Sequence, residues 1–155
     1  MNSSLKPSQI AMLAGGAVTL IFSFFAFVSI DFGVGKRTFS AWSTDANLFP
    51  LATWPAIFGL IVAGGTAAVL FGGVKLPENI LGFTWTQWTF ILSFASVVIM
   101  IGYLFANENK GFGYWLMLLG TLAYAAGALM EHMGIEPGGS SSVGQGPGST
   151  PPSPF

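Results

Sequence analysis

Four apolar runs, Ile10–Ile30, Leu51–Val74, Thr86–Ala106 and Phe112–Met130, contain no Asp, Glu, Lys, Arg or His. Each is about 19 to 24 residues long. At ~1.5 Å rise per residue a helix of ~20 residues spans a ~30 Å hydrocarbon layer. Chains with such runs have few folds open to them. In hydrocarbon every backbone N–H and C=O must bond internally, so helices are the expected form of each run. The expected fold is an all-α integral membrane protein, a four-transmembrane-helix bundle.

Composition agrees. Only 7% of the 155 residues are charged, against ~25% in a soluble domain. The expected organisation is a polar lead over 1–9, a membrane domain over 10–132 and a Gly/Pro/Ser-rich disordered tail over 133–155. That tail is too poor in apolar side chains to offset its ordering entropy. The first run exceeds the ~7–15 residues of a cleavable signal core and lacks a small-x-small site after it, so it is expected to be retained. The formal charge of −1 supplies no footprint for nucleic acid. With no cysteine in the chain, disulfides and thiolate sites are excluded.

Helix signals sit at the expected places. Pro7 and Pro55 suit first turns, where a missing donor costs nothing. Gly72-Gly73 followed by Lys75 and Pro77 reads as a helix stop. The connection Asn107–Gly111 is so short that the last two helices must be antiparallel neighbours. All five tryptophans fall in the first loop or at span starts, where an indole prefers the headgroup layer.

An even number of spans puts both termini on one side. That side carries Lys6, Lys75 and the α-amino group; the other carries Lys36, Arg37 and Lys110. The positive-inside rule is balanced by this count. Cytoplasmic termini are expected from the tail, and an outside location for the long aromatic first loop.

Helices in lipid associate by close backbone approach. Small residues at four-residue spacing mark candidate packing faces: Ala11, Gly15, Thr19 and Ser23 in the first span, Gly64, Ala68 and Gly72 in the second, Ala123 and Gly127 in the fourth. The first loop gathers Lys36, Arg37, Phe39, Trp42 and Asp45, a candidate partner-binding surface.

No titratable relay lies within the spans, which disfavours ion-coupled transport and pumps. The lone His132 beside Glu131 is poor material for a metal site and reads as the end of a helix. No Ser/His/Asp, Cys/His or paired-carboxylate set shares a depth, so no catalytic residue, cofactor or metal is expected. The expected function is non-enzymatic: a binding, scaffold or accessory subunit of a bacterial cell-envelope complex, working with another membrane protein or a second copy of itself. The alternative is a small oligomeric permeation protein for a neutral or lipidic substrate.

Leu13-Ala14-Gly15-Gly16, the aromatic first loop, Trp54-Pro55 and the tail from Pro137 follow an order that resembles small four-span membrane proteins of actinobacteria. Among these is the family typified by a mycobacterial antigen whose spans precede a longer Gly/Pro/Ser-rich tail. The resemblance covers most of the chain as architecture. It implies a bacterial plasma-membrane location and carries over no catalytic residue.

Overall fold

The computed structural model describes residues 5–44, 50–106 and 109–135. The chain forms α1 (Pro7–Phe22), β1 (Val28–Asp31), β2 (Lys36–Phe39), a 3-10 turn (Pro50–Thr53), α2 (Trp54–Gly72), α3 (Trp85–Ala106) and α4 (Phe112–Met133). Three helical stretches, Leu51–Gly72, Trp85–Ala106 and Phe112–Met133, are long and apolar enough to cross a membrane. The tail expected over 133–155 falls outside the described residues from Glu136 onward. Its first residue, Met133, belongs to α4 instead. Gly134 closes that helix at φ 64°, and the Ile135 N–H returns to the Met130 carbonyl at 2.9 Å, the Schellman arrangement.

Two expectations need correction. The first span was expected as one helix over 10–30, but α1 ends at Phe22, and the fold is not wholly α-helical. Ser23 turns its hydroxyl onto the Leu20 carbonyl. Phe24 and Phe25 then bond three residues back, to Ile21 and Phe22, which tightens the last turn. Beyond Ala26 the chain becomes extended, and Val28–Asp31 pairs antiparallel with Lys36–Phe39, Asp31 facing Lys36 and Val28 facing Phe39. Local preference permits this, and pairing with β2 completes it. Phe27, Val28 and Ile30 favour the pleated state, and an uninterrupted apolar run does not by itself distinguish strand from helix.

The four helices form a ring in chain order, closed by α1 against α4, its most extensive contact. That seam is built on glycine. A Cβ added at Gly120 would lie 2.6 Å from Thr19 Oγ1 and 2.8 Å from the Gly15 carbonyl; one at Gly127 would lie 2.6 Å from the Ser8 carbonyl; one at Gly113 would lie 2.9 Å from the Phe22 carbonyl. The order of these contacts makes α1 and α4 antiparallel. Gly16 meets the Gly59 carbonyl of α2 in the same way, at 2.6 Å.

Of the candidate packing residues, Gly15, Thr19 and Gly127 are buried in this seam, with Ala11 against Gly127; Ser23 is buried at the end of α1. Gly64, Gly72 and Ala123 lie on exposed faces, and Ala68 is half-buried. Four-residue spacing chose the wrong stripe on α2. Its buried line runs through Pro55, Ala56, Gly59, Val62 and Thr66, and Gly65 is covered by the Trp85 indole.

The interior is rich in hydroxyls. Thr19, Ser93, Ser96 and Thr121 are buried and each bonds a carbonyl of its own helix four residues back, at 2.5 to 2.8 Å. Met12, Met100, Met117, Tyr114 and Tyr124 fill the space between them. The large apolar side chains instead face outward, among them Leu60, Phe94, Val98, Phe105, Leu119 and Leu122.

Between α2 and α3, Ile80 and Phe83 pair around Leu81 (φ 52°) and Gly82 (φ 86°), a type I′ turn. Leucine in this left-handed region is strained, and Leu81 is 85% exposed, so nothing packs in compensation.

Two stability predictions follow from the backbone. Gly120→Ala should lower stability in mild detergent by about 1–3 kcal/mol, because the new methyl meets backbone atoms. Gly64→Ala, with nothing within 4 Å of its added Cβ, should leave the melting temperature unchanged or slightly raised; equal losses in both variants would refute the assignment of the seam. Leu81→Asn should stabilise by about 0.5–1 kcal/mol by relieving the turn, read in the same melting experiment, where a fall would mean the leucine makes a contact.

Candidate functional site

The end of the bundle where α1 and α3 stop and α2 and α4 start is covered by the β1–β2 hairpin. Phe27, 1% exposed, is the plug. Its ring stands edge-on to Tyr103 and Tyr114, at centroid distances of 5.2 and 5.3 Å. Such T-shaped pairs add to the burial energy. Tyr114 in turn donates its hydroxyl to the Met100 carbonyl at 2.8 Å, tying α4 to α3 beneath the plug.

Backbone bonds fasten the hairpin on both sides. The Phe27 N–H donates to the Phe39 carbonyl and the Ala41 N–H to the Ser23 carbonyl. On the other flank the Gly111 N–H donates to Phe27, the Gly113 N–H to Ala26, and the Ser29 N–H to Asn109. Lys110 therefore sits beside Val28 in an isolated antiparallel bridge outside the two-stranded sheet.

The candidate loop residues separate into two roles. Phe39 is half-buried against the core, and Trp42 stacks on Phe24 at 5.4 Å while its indole N–H donates to Ser23 Oγ at 2.8 Å. These two hold the cap down. Lys36 and Arg37 are exposed on β2. Asp45 lies outside the described residues.

At the hairpin tip, Asp31 Oδ1 accepts the Gly33 N–H at 2.9 Å, and Gly33 and Gly35 take positive φ. This fixes the turn while leaving Phe32 exposed and Val34 98% exposed. The tip is apolar with two cations immediately behind it.

Between the hairpin and the α3–α4 connection lies an open cleft of about 310 Å³ lined by Ser29, Asp31, Lys36, Asn109 and Lys110. The Lys110 ammonium lies 5.8 Å from the Tyr114 ring centroid, a cation–π distance that steers this side chain. Lys110, Ser29 and Asn109 were not singled out from the sequence as site residues. The available signal was topological: the short Asn107–Gly111 connection returns Lys110 to the bundle end that carries Lys36 and Arg37.

At the opposite end His132 stacks on Phe90 at 5.0 Å. Among the described residues no group of three or more His, Cys, Asp or Glu is placed to hold a metal ion. No protein-family model, curated protein or solved structure matches the chain.

Truncating the plug tests how the cap is held. Phe27→Ala should cost about 3–5 kcal/mol and strip hydrogen-exchange protection from the Val28–Phe39 amides while α2 and α3 keep theirs. Retained protection across the hairpin would show that the backbone bonds alone suffice.

Proposed function

We propose that this chain is an integral membrane protein crossing a bacterial plasma membrane four times, with cytoplasmic termini, and that it serves as a non-enzymatic binding or accessory subunit whose hairpin cap meets a partner membrane protein outside. The observation that carries the binding role is the cap itself. A hairpin plugged by Phe27 and bonded along both flanks nevertheless presents Phe32 and Val34 uncovered. Rigid presentation of exposed apolar side chains keeps the ordering cost of association low.

Membrane insertion is supported by the inverted polarity of the bundle, with hydroxyls inside and large apolar side chains outside. In water the outer belt would be an aggregation surface; in lipid it needs no partner. α1 alone rises about 24 Å, and its tightened turn through Phe25 adds about 6 Å, enough for a ~30 Å core. The permeation reading gains no support from a single copy, because the described bundle interior is filled by Met and Tyr side chains.

The absence of native cysteine makes the topology directly testable. In intact cells Val34→Cys should react with an impermeant maleimide, and Leu81→Cys should react only after permeabilisation. The reverse pattern would invert the orientation; labelling of both in intact cells would refute the spanning arrangement. A photo-crosslinker at position 34 should then give one discrete adduct with a membrane protein, and its absence would count against the binding role.

A further inference from the structure

The cleft beside the hairpin has a charge set that the partner-binding role does not use. Lys36 and Lys110, from segments more than seventy positions apart, line it together with Asp31. Ser29 and Asn109 add neutral donors and acceptors. The backbone holds these residues in place: Asp31 faces Lys36 across the ladder, the Ser29 N–H bonds the Asn109 carbonyl, and Asp31 is fixed through Oδ1 in its turn. The cleft lies at the end of an apolar bundle. Just after Lys110, at the start of α4, Phe112 and Trp115 are exposed, as interfacial aromatics are.

We propose that this cleft binds a phospholipid headgroup carrying both a phosphate and a primary ammonium, the phosphate taken by Lys36 and Lys110 and the ammonium by Asp31. The proposal rests on the membrane reading above. Two lysines suit a phosphate, since each offers three donors and a compact charge. A headgroup that is purely anionic would leave Asp31 repelling it, and a quaternary ammonium would offer Asp31 no hydrogen bond. The chemistry therefore selects phosphatidylethanolamine over phosphatidylglycerol and phosphatidylcholine. A lipid is favoured over a free anion because its acyl chains can lie on the outer apolar belt while the headgroup enters the cleft.

The test is native mass spectrometry of the full-length protein in mild detergent, titrated with each of the three lipids and separately with inorganic phosphate. Phosphatidylethanolamine should bind more tightly than the other two. K36Q/K110Q should weaken it by roughly ten- to thirtyfold, with the melting temperature confirming that the variant is folded. Asp31→Asn, which keeps an acceptor for the Gly33 N–H, should abolish the preference over phosphatidylglycerol and leave the lysine-dependent affinity in place. Equal binding by the wild type and the double lysine variant would overturn the proposal. So would a wild-type preference for phosphatidylglycerol, or displacement of the lipid by equimolar inorganic phosphate. Release of the protein from cell membranes by alkaline carbonate would instead refute the membrane reading, so the two failures are told apart.

Discussion

The direct approach of α1 to α4 is the contact on which the rest of the molecule depends. Gly113, Gly120 and Gly127 recur every seven residues along α4, and each leaves room for backbone of the α1 segment. A seven-residue repeat keeps one face in register with a partner helix through a left-handed crossing. At this separation dispersion contacts run between main chains over the length of α1. Such contacts carry association where the surroundings are as apolar as the side chains. Bulky residues here would separate the first and last helices, and the ring of four would open.

That closeness explains what fills the remaining interior. Where backbones touch, only small side chains fit, and Thr19 and Thr121 meet that demand while satisfying their hydroxyls on carbonyls of their own helices. Tyr124 spans the other direction, its backbone and Cβ against Gly15, its buried ring beside Gly59 and its hydroxyl toward the Pro55 carbonyl at 3.4 Å. Among the described residues Thr66 is the exception, a buried hydroxyl oxygen without a hydrogen-bond partner. Its own i−4 carbonyl belongs to Val62, so a change of rotamer would bring a partner within reach.

Helix existence was legible in the sequence to the extent that charge-free length decides it. α2, α3 and α4 start and stop within a few residues of Pro55, Gly73, Trp85, Gly111 and Gly134, where proline, glycine or a short polar stretch punctuates the chain. α1 was misjudged at its far end, since Phe24 to Ile30 carry no charge and no breaker. What ends that helix is tertiary: Ser23 receives the Trp42 indole, and β1 finds a partner in β2. Of the expected packing faces, Gly15 and Gly127 lie buried between α1 and α4, where small residues also stand opposite small residues. The face was misread at Gly64, because spacing within one helix cannot show which side meets a neighbour. Of the cleft, Lys36 was visible as part of a charged loop. Lys110 and Asn109 became site residues only once the bundle had returned them to that loop.

The early end of α1 and the start of α4 resolve each other. Leaving the helix at Ser23 puts the Ala26 and Phe27 carbonyls outside any helix, and the first turn of α4 holds amide groups without an intrahelical acceptor. The Gly113 N–H takes the Ala26 carbonyl, and the Gly111 N–H just before the helix takes that of Phe27. Backbone that would be intolerable in an apolar setting is satisfied without water. These bonds also join the hairpin to the two helices of the glycine seam. From Val34 inward, the hairpin is continuous through β1 and Phe27 with main-chain bonds to the start of α4 and to the end of α1.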